Sequence, residues 1–118
     1  MRLLPFAAFL LAIPPAARAD TFVYLALAGE KKIAVYRMDP RQGKLTHRAD
    51  IRIDGEPGAL TVDPKRRFLF ASLRSAGKSA SFRIDPKAGK LTHLNTVPAG
   101  ADPAYLATDR TGRFLLTA

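Results

Sequence analysis

The sequence predicts an all-β fold built from a repeated four-stranded antiparallel unit, on three observations. The chain matches itself without a gap at an offset of about 46 residues, and about 16 of the 46 aligned positions are identical. Apolar segments of about 5 to 8 residues recur every 10 to 12 or so, bounded by Pro, Gly and Asp. Beyond residue 19 no stretch carries the i, i+3, i+4 spacing of an amphipathic helix. A four-stranded unit of this length is the size of one blade of a β-propeller. A β-sandwich of two duplicated halves is the alternative, but Greek-key connections rarely keep so even a strand period.

The copies run from 22 to 67 and from 68 to 113, and a third begins at Phe114. The first strand of each, FVYLALA (22–28) and FLFASLR (68–74), is almost wholly apolar, as expected of a strand covered on both faces. Its aromatic residues Phe22, Tyr24, Phe68 and Phe70, with Phe114 of the third copy, are expected in the core between blades. The second strand is IAVYRMD (33–39) or SASFRID (79–85). Asp-Pro-x-x-Gly-Lys-Leu follows at 39–45 and 85–91, a hairpin connection in which proline presets φ and glycine takes a positive one. The third strand spans 44–53 and 90–99 and is placed toward the outside of the blade. The fourth, PGALTVD (57–63) or PAYLATD (103–109), is placed innermost. Asp63 and Asp109 close it as turn formers whose carboxylates cap nearby backbone N–H groups.

Residues 1–19 read as a signal peptide. Arg2 precedes the apolar run 3–13, Pro14 and Pro15 break it, and Ala17-Arg18-Ala19 offers a cleavage site before Asp20. The run falls well short of the ~20 residues of a membrane span. The reading divides the chain into that segment and a propeller region at 20–118, with a periplasmic or secreted location and no stable membrane span after cleavage. Two blades and a few residues are fewer than the roughly 4 to 8 with which propellers close. Further blades of the same chain are therefore expected, with self-assembly of a short chain as the alternative.

Composition excludes several chemistries. Without cysteine the chain has neither disulfides nor thiolate ligands. The formal charge is +9, yet the basic residues are scattered among the turns, which speaks for a solvated rim and against nucleic acid. His47 and His93 are the only histidines. They occupy equivalent outer-strand positions, too far apart to share a metal, so no metal site and no cofactor is expected. The serines at 72, 75, 79 and 81 lack a Gly-x-Ser-x-Gly frame, and no phosphate-binding Gly-rich loop occurs.

The string DPAYLATDRTGRFLLTA, preceded by FRIDPKAGKLTHLNTVPAGA, resembles the seven-bladed β-propeller lactonases of the 6-phosphogluconolactonase type. The shared elements are Asp85 to Leu91, Gly100 to Pro103 and Asp109 to Phe114, and the resemblance covers residues 22–118. It implies hydrolysis of a sugar-type lactone, with a small lactone or carbohydrate-like molecule as ligand. Family members often carry a histidine after the blade proline, where this chain has Gly58 and Ala104. Phosphorylated sugar lactones are made inside the cell, so an exported member is not expected to act on 6-phosphogluconolactone itself.

Lactone hydrolysis needs a base to activate water and donors to hold the developing oxyanion. On a propeller these groups sit at one mouth of the central channel, where the loops ahead of the innermost strands end. Glu56 and Asp102 occupy equivalent positions just ahead of Pro57 and Pro103, with Tyr105 two residues beyond Pro103, and these three are the candidate catalytic residues. The alternative is that both carboxylates order a surface loop. A non-catalytic binding or interaction scaffold in the cell envelope is the competing function.

Overall fold

The computed structural model describes residues 19–118, so the signal-peptide reading of 1–19 lies almost wholly outside the described residues. Nine strands follow in order: β1 (Thr21–Leu27), β2 (Lys32–Met38), β3 (Leu45–Arg52), β4 (Pro57–Val62), β5 (Phe68–Leu73), β6 (Lys78–Ile84), β7 (Leu91–Pro98), β8 (Leu106–Thr108) and β9 (Leu115–Thr117). They form three antiparallel sheets, ordered β1-β2-β3, β4-β5-β6-β7 and β8-β9. The all-β propeller architecture read from the repeat is what the chain adopts. Among the described residues no helix is long and apolar enough to cross a membrane.

The sheets are out of phase with the repeat that the sequence displays. Strand β4 closes the first sequence copy but pairs with β5, which opens the second, so the complete blade runs from Pro57 to Pro98. The tight turn 63–67 makes β4 and β5 a hairpin, whereas the link 53–56 carries the chain across to a new sheet. Strand β4 packs beside both β1 and β8, which brings the inner parts of the three sheets together. Strand β8 is shorter than the segment 103–109 that the repeat implies. Its partner β9 spans three residues, Leu115–Thr117, and the two pair over that length.

The two copies also agree where they are irregular. Both outer hairpins carry a β-bulge, with Arg48 unpaired opposite Val35/Tyr36 and Leu94 unpaired opposite Ser81/Phe82. Left-handed backbone recurs at the same offset: Lys31 (φ 51°) matches Gly77 (61°), Gly43 (65°) matches Gly89 (69°), and Arg66 (55°) matches Gly112 (69°). At Lys31 and Arg66 a side chain crowds a conformation that glycine adopts freely. Arg66→Gly is accordingly expected to raise stability by up to about 1 kcal/mol, read as a higher urea midpoint at unchanged m-value.

The core lies between the first two sheets. Ile33 and Val35 of β2 meet Leu69, Ala71 and Leu73 of β5, Ala80 and Phe82 of β6, and Leu91. Phe22 and Tyr24 pack against this cluster from β1, as the sequence implied. Phe68 is half-buried beneath the guanidinium groups of Arg67 and Arg83, and Phe114, expected in the core, is 67% exposed in the described chain.

Four aspartates build the turns at one end of the sheets. The Asp39 carboxylate accepts the amides of Arg41 and Gln42, and that of Asp85 accepts the amides of Lys87 and Ala88. Asp63 accepts Arg67 and Phe68, and Asp109 accepts Arg113 and Phe114, as expected of turn formers. The Thr111 hydroxyl and the Phe114 amide hold the Asp109 carboxyl down at about 2. The amides of Lys87 and Ala88 likewise lower Asp85. Folded-state values below the ordinary 3.8 mean that the folded form binds protons less readily than the unfolded chain. The stabilisation is therefore complete above about pH 4 and is lost as pH falls toward about 2. Thermal melts across this range should show a level midpoint down to about pH 4.5 and a steady fall below it.

Candidate functional site

Because the sheets meander, successive connections alternate between two ends. The links 28–31, 53–56, 74–77 and 99–105 gather at one end, and the aspartate turns gather at the other. Glu56, Asp102 and Tyr105 all lie at the first end. No polar contact joins them: all three are exposed, Tyr105 at 65%, and among the described residues no hydrogen bond or ion pair links any two of them.

What the structure adds is Arg74. It leaves the end of β5 in a 3-10 turn (Arg74–Ala76), and its guanidinium meets Asp102 in a two-pronged pair, Nε to Oδ1 at 2.8 Å and Nη2 to Oδ2 at 2.9 Å. The pair bridges the second and third sheets. Its members are 54% and 66% exposed, so it contributes orientation more than stability. The Arg74 guanidinium lowers the Asp102 carboxyl and is itself raised by it, so both stay charged across the working range. Asp102 is thereby a poor proton acceptor and a good anchor for a cation. The fork leaves Arg74 with further N–H donors directed away from Asp102.

Room for Arg74 comes from Gly58, the residue after the blade proline. A Cβ there would lie 3.7 Å from Arg74 Cγ and 3.0 Å from Ser72 Oγ. Ser72 is fully buried and accepts the Ala59 amide at 2.9 Å, and Ser79 donates to the Ala71 carbonyl, so both serines serve the sheet. In the first copy the position of Arg74 is held by Ala28, and Glu56 has no ion-pair partner among the described residues. That exchange of Ala28 for Arg74 was visible when the copies were aligned, and it is the signal that would have found the residue.

The histidines keep separate company. His47 Nε2 lies 2.8 Å from Asp50 and edge-on to Tyr36, while His93 Nε2 lies 2.8 Å from Thr96 and edge-on to Phe82. Among the described residues no group of three or more His, Cys, Asp or Glu side chains is placed to hold a metal ion.

Comparison with known proteins agrees with this architecture. Residues 24–118 match the family model described as lactonase, 7-bladed beta-propeller. No curated protein matches the chain significantly. Among solved structures, a candidate 6-phosphogluconolactonase from Bacteroides uniformis is 25% identical with a TM-score of 0.75, covering 82% of this chain and 29% of its own. A second from Bacteroides fragilis is 24% identical with a TM-score of 0.76, covering 82% and 28%. A periplasmic gluconolactonase from Pseudomonas aeruginosa shares the fold at 18% identity and a TM-score of 0.61, covering 88% and 30%. The chain thus spans about three-tenths of the length of these structures. With a match running from Tyr24 to its last residue, the chain belongs to the seven-bladed β-propeller lactonase family.

Proposed function

We propose that this chain forms part of a lactone hydrolase that opens a sugar-type lactone outside the cytoplasm, with further blades of the same chain completing the ring. The family match over residues 24–118 carries the reading. In this reading Glu56, without an ion-pair partner among the described residues, accepts a proton from water as that water attacks the ring carbonyl. Arg74, oriented by Asp102, faces the oxygen that gains charge, and Tyr105 borders the ligand. The ring C–O bond then breaks, its oxygen takes up a proton, and the product is the open hydroxy acid. The N-terminal segment supports the location, and with it an unphosphorylated substrate.

The test is acid release from a panel of aldonolactones, measured on the protein with its ring complete. Turnover above spontaneous hydrolysis is expected, and Arg74→Ala is expected to lower kcat about 100-fold, as loss of an oxyanion donor does. No turnover of any lactone would reject the hydrolase. Retained binding of the same compounds would then point to the scaffold.

A further inference from the structure

The basic residues that look scattered along the sequence are gathered by the fold. Every second connection falls at the end opposite Arg74, and those turns carry most of the excess positive charge. The turns 39–44 and 85–90 hold Arg41, Lys44, Lys87 and Lys90, while 63–67 and 109–113 hold Lys65, Arg66, Arg110 and Arg113. Turns of neighbouring sheets lie side by side there. The Phe22 ring sits against Gly89, and a Cβ on Gly112 would lie 3.2 Å from Pro64 Cδ.

The aspartates at this end offset the cations only in part, because they are outnumbered and each turns its carboxylate inward to its own turn. Asp39, Asp63, Asp85 and Asp109 all spend carboxylate oxygens on amides of their own turns. Ion pairs at this end, among the described residues, are Arg37 with Asp20 and Arg67 with Asp63. The eight turn cations named above have no ion-pair partner among the described residues. At the other end charge is nearly balanced, with Lys32 tied to Glu30 and Asp50, and Arg74 tied to Asp102. A recess of about 490 Å³ on the basic face, lined in part by Arg37, Arg41 and Lys44 with Asp20 and Asp39, has room for a phosphate headgroup.

We infer that this face docks on an anionic lipid surface, holding the opposite, Arg74-bearing end toward solvent. The cations sit on separate turns spread across one end, which suits a planar array of charges. A nucleic acid would ask for a stripe or a groove of cations instead. Attraction of this kind needs no apolar insertion, so it must weaken steeply with salt.

The test uses flotation with vesicles of phosphatidylcholine alone or with an equal part of phosphatidylglycerol. Binding to the anionic vesicles, absent on neutral ones and released by high salt, is expected. A variant with Arg41, Lys44, Lys87 and Lys90 all changed to Gln is expected to bind more than about 100-fold more weakly. The Lys87→Gln, Lys90→Gln pair alone should cost about 30-fold. A control with Lys31, Arg48, Arg52 and Lys78 changed to Gln removes the same charge elsewhere and is expected to bind within about twofold of the parent. Circular dichroism checks that each variant is folded. Equal binding to neutral vesicles, equal loss in the control, or tighter binding to duplex DNA than to anionic vesicles would overturn the inference.

Discussion

Replacing Gly89 by alanine is expected to destabilise the protein by about 2–4 kcal/mol, from two separable causes. Gly89 has a φ of 69° and is buried, so any side chain there meets an unfavourable backbone conformation. A Cβ at that position would also run into the Phe22 ring of the neighbouring sheet. The same residue accepts the Tyr24 hydroxyl at 2.8 Å through its carbonyl, so it cannot move aside without breaking that bond. Burial, with Asp85 nearby, pushes the Tyr24 phenol up to about 12, which keeps it a donor throughout the physiological range. A double-mutant cycle separates the causes. In a Phe22→Ala background the Gly89→Ala change should cost only its backbone strain, about 1–2 kcal/mol. Equal costs in both backgrounds would show that the two sheets do not meet at this turn.

Asp63→Ala is expected to cost about 2–4 kcal/mol, more than alanine at the exposed Asp39 turn. The Asp63 side chain is only 3% exposed and takes the amides of Arg67 and Phe68 together with the Arg67 guanidinium. Burial pushes its carboxyl up, but the amides and the guanidinium outweigh burial and hold it below the ordinary value. Alanine would leave those amides facing a cavity without an acceptor. Asp63→Asn keeps one oxygen and should recover part of the loss. Urea titrations of the three proteins decide it, and a loss under about 0.5 kcal/mol for alanine would show that water replaces the carboxylate.

These two positions show how much of the fold was legible. Asp39/Asp85, Gly43/Gly89 and Asp63/Asp109 recur because turn geometry demands particular residue types, and such demands are local. The phase of the sheets was not legible. Whether PGALTV belongs with the strands before it or after it depends on which link is a hairpin, and pairing between distant strands leaves no mark on either segment alone. The candidate site was half legible. Glu56, Asp102 and Tyr105 reach the expected end of the sheets, but the partner that orients Asp102 lies 28 residues away at Arg74. The gathering of the basic turns at one end was not legible, because alternate turns are far apart in sequence and come to one end only in three dimensions.

The matched bulges at Arg48 and Leu94 carry a consequence for the outer perimeter. They interrupt β3 and β7, the outer edge strands of the first two sheets, and a flat ladder of free N–H and C=O groups is thereby denied to a second molecule. Thr46, His47, Arg48, Asp50 and Arg52 add polar and charged side chains along the first of these margins. Molecules crowded on a surface or at high concentration should then slide past one another without fusing strand to strand.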